Sequence, residues 1–153
     1  MSAPPARHTS PRPPARRASE PRHAAALDDV IQAAELRAGL RRFARESEQI
    51  AAEHGLTAQR YLLLLMIRGA PDGSERSTVT ELTGRLQLAQ HTVTELVSRA
   101  VRAGLIERER SREDRRVSHL RLTDEGTRRL MGAFRGHRVE REALRKVLDS
   151  ASR

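Results

Sequence analysis

The sequence predicts a mainly α-helical chain that carries a small two-stranded β wing, and three observations lead there. Apolar residues recur at the helical period through most of residues 27–149. Between Ser77 and Arg102 two short amphipathic helices are separated by a three-residue turn. Directly after them, "GLIERERSREDRRVSHLRLTDEG", Gly104 to Gly126, reads as two short strands around a highly charged loop.

Residues 1–26 hold six of the seven prolines and five Arg against one Glu, with no apolar periodicity. They are expected to form a disordered basic tail, either a plain solvated extension or an arm adding non-specific phosphate contacts. Residues 27–153 then make one domain. From Leu27 to about Glu53, Leu36, Leu40, Phe43 and Ile50 follow the helical period and Ser47 interrupts the stripe. Gly55 ends this helix and Thr57 caps a second, whose run "YLLLLMI", Tyr61 to Ile67, leaves almost no polar face and predicts a central, buried helix. The segment "APDGSERS", with Pro71-Asp72-Gly73 at its bend, reads as a loop.

Ser77 or Thr78 caps the next helix, with Val79, Leu82 and Leu86 on its apolar face; Gln87 to Ala89 make the turn, and a further helix starts near Gln90. In that helix Val93, Leu96, Val97 and Ala100 share one side, and His91, Thr94, Glu95, Ser98 and Arg102 share the other. In the returning strand Val117, His119 and Arg121 alternate with Ser118, Leu120 and Leu122. Thr123 caps a last helical region that runs to about Asp149 and breaks near Gly136-His137. A helix-turn-helix followed by a wing is a winged helix, with the DNA-binding lobe at about residues 77–123.

Composition narrows the function. The formal net charge is +9, and 28 of the 29 Lys and Arg residues are Arg, Lys146 being the exception. The Arg excess fits GC-rich coding as well as phosphate recognition, but the sign of the charge favours a polyanionic partner. With only Phe43, Tyr61 and Phe134 as aromatics, the core rests on Leu, Val, Ile, Ala and Met and is lean, so burying more surface in a dimer would help. The chain has no cysteine, which removes disulfides and cysteine-ligated zinc, and no apolar run approaches the roughly 20 residues of a membrane span. A cytoplasmic protein with no membrane partner is the expectation. His54, His91, His119 and His137 show no metal-ligand spacing, so no metal and no cofactor is expected. No nucleophile-base set and no phosphate-cradling glycine loop appears, so the chain does not read as an enzyme.

The stretches "GLTAQRYLLLLMI", "STVTELTGRLQLAQHTVTELVSRAVRAGLIERER" and the wing signature Asp114, Arg116, Leu122, Thr123 and Gly126 closely resemble the multiple antibiotic resistance regulator (MarR) family of bacterial transcription factors, over roughly residues 36–130. The resemblance implies a homodimer whose N- and C-terminal helices, here 27–53 and 124–150, intertwine. It implies a recognition helix in each major groove of a pseudo-palindromic double-stranded operator, a wing reaching the minor groove, and repression released by a small aromatic or anionic effector. A ligand-independent DNA-binding regulator, or a winged helix used for protein or RNA contacts, are the alternative readings.

The expected DNA contacts are Gln90, His91, Thr92, Thr94, Ser98 and Arg99 on the helix and Arg112, Asp114, Arg115 and Arg116 in the wing. Arg99, nearer the flank, suits a phosphate, whereas Glu95 suits either cytosine N4 or a bracing pair with Arg99. An acid in a DNA-facing loop needs a local reason, and the expectation is that Asp114 holds the Arg116 guanidinium in one direction for the minor groove. Leu40, Phe43, Ser47, Tyr61 and Met66 are the expected ligand-pocket residues, although Ser47 and Tyr61 serve equally as ordinary core hydroxyls.

Overall fold

The computed structural model describes residues 20–151 except 112, 113 and 115, with side chains described from residue 25 to 146. The helix α1 (Glu20–Glu53) starts well before Leu27, so residues 20–26 of the expected disordered tail are helical; residues 1–19 lie outside the described residues. The early start has a plain cause. Ala24, Ala25 and Ala26 have the highest helix propensity, and Pro21 sits in the first turn, where no intrahelical N–H is lost. Such a stretch has no apolar stripe for a periodicity argument to find. The chain divides into two compact units, residues 1–39 and 40–153. The described part of the first is helix, with Leu27, Val30, Ile31 and Leu36 exposed.

In the second unit α1 ends at Gly55, whose φ of +69° closes the helix while its N–H bonds to the Ala52 carbonyl at 2.9 Å. The helix α2 (Ala58–Arg68) is capped by Thr57, whose hydroxyl accepts from the Arg60 N–H at 3.2 Å. Tyr61, Leu63, Leu64 and Ile67 are buried, as the apolar run predicts, but Leu62 is exposed. The far end of α2 is closed by a side chain from elsewhere. Arg85 donates to the Met66 carbonyl and, at 3.0 Å, to the Gly69 carbonyl, satisfying acceptors that the helix end leaves open.

A short strand, β1 (Arg76–Ser77), lies inside the segment expected to be loop. It is followed by α3 (Val79–Leu86), where Thr78 and Glu81 form a reciprocal capping box, and by α4 (Gln90–Arg102). Between them Gln87 takes the left-handed conformation, φ 55° and ψ 38°, and Ala89 offers α4 no side-chain cap. The strands β2 (Ile106–Arg110) and β3 (Ser118–Leu122) pair antiparallel with Glu107 opposite Arg121 and Glu109 opposite His119. β1 adds to the other side of β3, with Ser77 opposite Leu120. The sheet is therefore three-stranded, in the order β1-β3-β2, rather than the two-stranded wing the sequence suggested. Two residues are too few for alternation to register, and the surrounding Asp, Gly and Ser signal only a turn.

The helices α5 (Asp124–Gly136) and α6 (Arg138–Ala151) meet at the expected break. One core joins the pieces: Leu63, Leu64 and Ile67 from α2, Leu82 from α3, Val93, Val97 and Ala100 from α4, Leu105, Ile106 and Leu120 from the sheet, and Leu130 from α5. The run Leu122-Thr123-Asp124-Glu125-Gly126 stitches the sheet to α5. Thr123 Oγ1 donates to the Gly104 carbonyl at 2.6 Å and accepts from the Gly126 N–H at 3.0 Å, while the Thr123 N–H reaches the Leu105 carbonyl at 3.1 Å. Gly126 lies so close to that carbonyl that an added Cβ would come within 2.0 Å of its oxygen. These residues of the wing signature hold the fold together.

Candidate nucleic-acid interface

The helix α4 is fixed by its inner face. Val93, Leu96, Val97 and Ala100 are buried, the same four the periodicity assigns, so rotating the helix would expose them. The outer face follows from that. Gln90, His91, Thr94, Glu95, Arg99 and Arg102 are exposed, and Thr92 and Ser98 half-buried at its margins. The structure thus brings the six helix residues expected to meet DNA onto a single element in one orientation.

Their hydrogen bonds say what this face offers. Thr94 Oγ1 donates to the Gln90 carbonyl and Ser98 Oγ to the Thr94 carbonyl, both at 2.9 Å. With the hydroxyl protons turned inward, each oxygen presents acceptor lone pairs to solvent, a match for the amino groups of adenine or cytosine. Glu95 and Arg99 form the bracing pair, Oε2 to Nη2 at 3.4 Å, but both side chains are more than half exposed, at 68% and 59%, so the pair is weak. The first turn of α4 has no acid and no side-chain cap, leaving its N–H groups open to an anion.

In the wing, alternation sorts the charges. Glu107 and Glu109 share a face with Arg121 and His119, and Glu107 meets Arg121 at 4.0 Å; Arg108 and Arg110 fall on the opposite face with Leu120 and Ser118. Arg108 and Arg110 were not among the expected contacts, although strand alternation carries the signal. Arg112 and Arg115 lie outside the described residues, while Asp114 and Arg116 are exposed near the tip. The expected brace takes a different form. Asp114 Oδ1 accepts the Arg116 backbone N–H at 2.9 Å, and no ion pair between Asp114 and the Arg116 guanidinium occurs among the described residues. The Asp114 N–H in turn points at Ser111 Oγ, 3.3 Å away, and its carbonyl accepts from the Val117 N–H at 2.9 Å. A short side chain two residues back reaches a backbone N–H more easily than a long guanidinium, which stays in water.

Of the residues expected around a ligand, Ser47 and Tyr61 converge on one partner, His137. Ser47 Oγ lies 2.8 Å from its Nε2, and the Tyr61 ring stacks on it with centroids 4.5 Å apart. His137 is 2% exposed and also faces the Ala133 carbonyl through Nδ1 at 2.6 Å. Burial pushes the Tyr61 hydroxyl above its ordinary range, partly offset by the Arg141 guanidinium beside it. Leu40 is exposed, and Phe43 and Met66 are half-buried, Met66 packing against the core. Among the described residues no cluster of metal-ligating side chains occurs, and no helix is long and apolar enough to cross a membrane.

The family match covers the helix-turn-helix. The MarR family model matches residues 54–117, from the end of α1 to the wing. The HTH-type transcriptional repressor YetL of Bacillus subtilis (strain 168) is 32% identical over 90 residues, 59% of this chain and 53% of its own length. The HTH-type transcriptional regulator TtmR of Methylorubrum extorquens (strain PA1) is 36% identical over 84 residues, 55% of this chain and 41% of its own. The chain thus spans about half the length of the curated relatives it matches. A mutant MarR from E. coli, solved in complex with operator DNA, shares the fold with a TM-score of 0.63 at 19% identity, over 81% of this chain and 95% of that one. The helix-turn-helix and the first strand of the wing fall within the stretch that is similar to the MarR family, and the chain shares the winged-helix fold of that solved structure.

Proposed function

We propose that this protein is a sequence-specific DNA-binding transcriptional regulator, a repressor acting as a homodimer, with α4 in the major groove and the wing at the adjacent minor groove. The outer face of α4 carries the reading. It combines acceptors at Thr94, Ser98 and Glu95 with donors at Gln90, His91, Arg99 and Arg102, has no large apolar side chain, and sits on a helix locked by its inner face. The open N-terminus of α4 and the Arg108–Arg110 face of the wing supply phosphate contacts, as do Arg112, Arg115 and Arg116. The relative YetL is a repressor by name, and the E. coli MarR complex contains operator DNA; both support the reading.

The dimer rests on uncovered apolar surface: Leu27, Val30, Ile31 and Leu36 in the first unit and Leu40, Leu62 and Val139 in the second. The group formed by Ser47, Tyr61 and His137 supports a site, with Leu40, Phe43 and Met66 as its proposed apolar residues, where a small aromatic or anionic effector releases DNA, because the half-buried Ser47 hydroxyl and the buried Tyr61 offer such a ligand its few polar contacts. Selection of bound sequences from a random duplex pool tests the function. The expected product is a pseudo-palindrome with half-sites about 10 bp apart, bound with a log–log salt slope between about −5 and −9 for roughly 6 to 10 neutralised phosphates. A pool that emerges unenriched overturns it.

A further inference from the structure

Beyond the residues that read a groove, a cationic cleft opens where the C-terminal end of α4 meets the start of α2. It measures about 320 Å³ and is lined by Arg60 from α2 and by Arg99, Arg102 and Ala103. We propose that this cleft binds a phosphate-type oxyanion, with a DNA backbone phosphate just outside the major groove as its source. This use of the cleft rests on the proposed DNA-binding function, whereas the anion chemistry itself does not.

Charge favours an anion here. Three arginines line this shallow, open cleft, and no acidic residue lines it. Among the described residues neither Arg60 nor Arg102 has an acidic partner within ion-pair distance, and Arg99 has only the exposed, 3.4 Å contact with Glu95. By contrast Arg68, Arg128 and Arg129 each hold a carboxylate closely, so the chain does pair arginines where pairing is all they are for. Gathering like charges without a counterion leaves repulsion that a dianion relieves. Arginine forks match the oxygens of a phosphate in a way that a single ammonium does not.

The two helix ends act with opposite signs. Arg60 stands in the first turn of α2, which contains no acid, so the positive end of that helix favours an anion, while the negative end of α4 at Ala103 opposes it and the arginines supply the net attraction.

Geometry selects the source. Gln90 to Arg102 spans about 18 Å along α4, longer than the roughly 12 Å width of the major groove. If the residues near Gln90 enter the groove, those near Arg102 lie beyond its edge, beside the phosphates of the bounding strand. Arg102 continues the outward line of His91, Glu95 and Ser98, so the cleft extends the interface already described. The sequence hides this because Arg60 lies far from α4 along the chain and reaches the cleft only through the packing of α2 on α4.

Two measurements on the full chain test the proposal, each with wild type, Arg60→Ala and Arg60→Lys. In the first, affinities for a selected duplex and an unrelated duplex are followed against salt. Arg60→Ala is expected to weaken both alike and to flatten the log–log slope by about 0.9, the loss of one phosphate contact, with partial recovery in Arg60→Lys. In the second, inorganic phosphate is titrated against the DNA-free protein at constant ionic strength, reading thermal stability and the NMR signals of the Arg side chains. A phosphate response in wild type that Arg60→Ala loses, with the salt slope unchanged, establishes the anion site but assigns it to a free phosphorylated molecule and overturns the DNA assignment. An unchanged slope together with no Arg60-dependent phosphate response overturns the cleft altogether. If wild type binds no duplex, the proposed function fails, and the phosphate titration still decides the cleft.

Discussion

Asp114 shows how a single residue can act against the expectation from its charge. Its carboxylate sits in the wing proposed to meet DNA, yet it fixes the turn by accepting the Arg116 N–H at 2.9 Å. Asp114→Ala is expected to weaken DNA binding by about 2- to 12-fold per wing, because ordering the wing tip then falls on the binding step and one net hydrogen bond is worth roughly 0.5 to 1.5 kcal/mol. Asp114→Asn keeps the acceptor and removes the charge, so its affinity should equal or exceed that of wild type. Tighter binding by Asp114→Ala in the same fluorescence anisotropy series would show that the turn contributes nothing. Glu125 makes a second residue-level case. Hydrogen bonds from Arg128, and then from Arg129, hold its carboxyl at about 2, against an ordinary value of 4.5. Because the folded value is depressed, the stabilisation is complete above about pH 4.5 and is lost as pH falls toward 2. The melting-temperature difference between wild type and Glu125→Gln should therefore be constant near neutrality and shrink across that window. A difference independent of pH would contradict the assignment.

At the scale of elements, periodicity made most of the fold legible and silence hid the rest. The inner face of α4 was readable because Val93, Leu96, Val97 and Ala100 repeat at the helical spacing and all four are buried. β1 was not readable because Arg76-Ser77 becomes a strand only by pairing with β3, a long-range event without a local signature. The start of α1 was missed for the opposite reason, as propensity without pattern made a helix at residues 20–26. Of the candidate site, the α4 residues were legible and the cleft partner Arg60 was not, since only tertiary packing brings it there. Two glycines separate helix propensity from packing in the same way. Gly84 is exposed within α3 with no atom within 4 Å of an added Cβ, so Gly84→Ala should stabilise the protein by about 1 kcal/mol. Gly126→Ala would drive its Cβ to 2.0 Å from the Leu105 carbonyl oxygen and should cost about 2 kcal/mol or more. Chemical denaturation of both variants reads the two signs, and a destabilised Gly84→Ala would mean that α3 is held in place by something other than its helix.

For the whole molecule, a lean core and exposed Leu27, Val30, Ile31, Leu36 and Val139 make association the expected state. Sedimentation equilibrium at micromolar protein should give twice the 17.2 kDa chain mass, and a monomer would remove the basis for a two-fold operator. The formal charge of +9 supplies attraction to any duplex, so affinity alone says little about what the protein reads. Reading of sequence by the outer face of α4 is tested by repeating duplex selection with Thr94→Ala and Ser98→Ala. Neither change touches the buried face or the net charge. The preference at one or two positions in each half-site is expected to relax by about 5-fold or more, the value of roughly 1 to 3 kcal/mol for base-edge recognition, while binding to unrelated duplex stays within about 2-fold of wild type. Variants that recover the wild-type sequence with undiminished preference would contradict reading by this face.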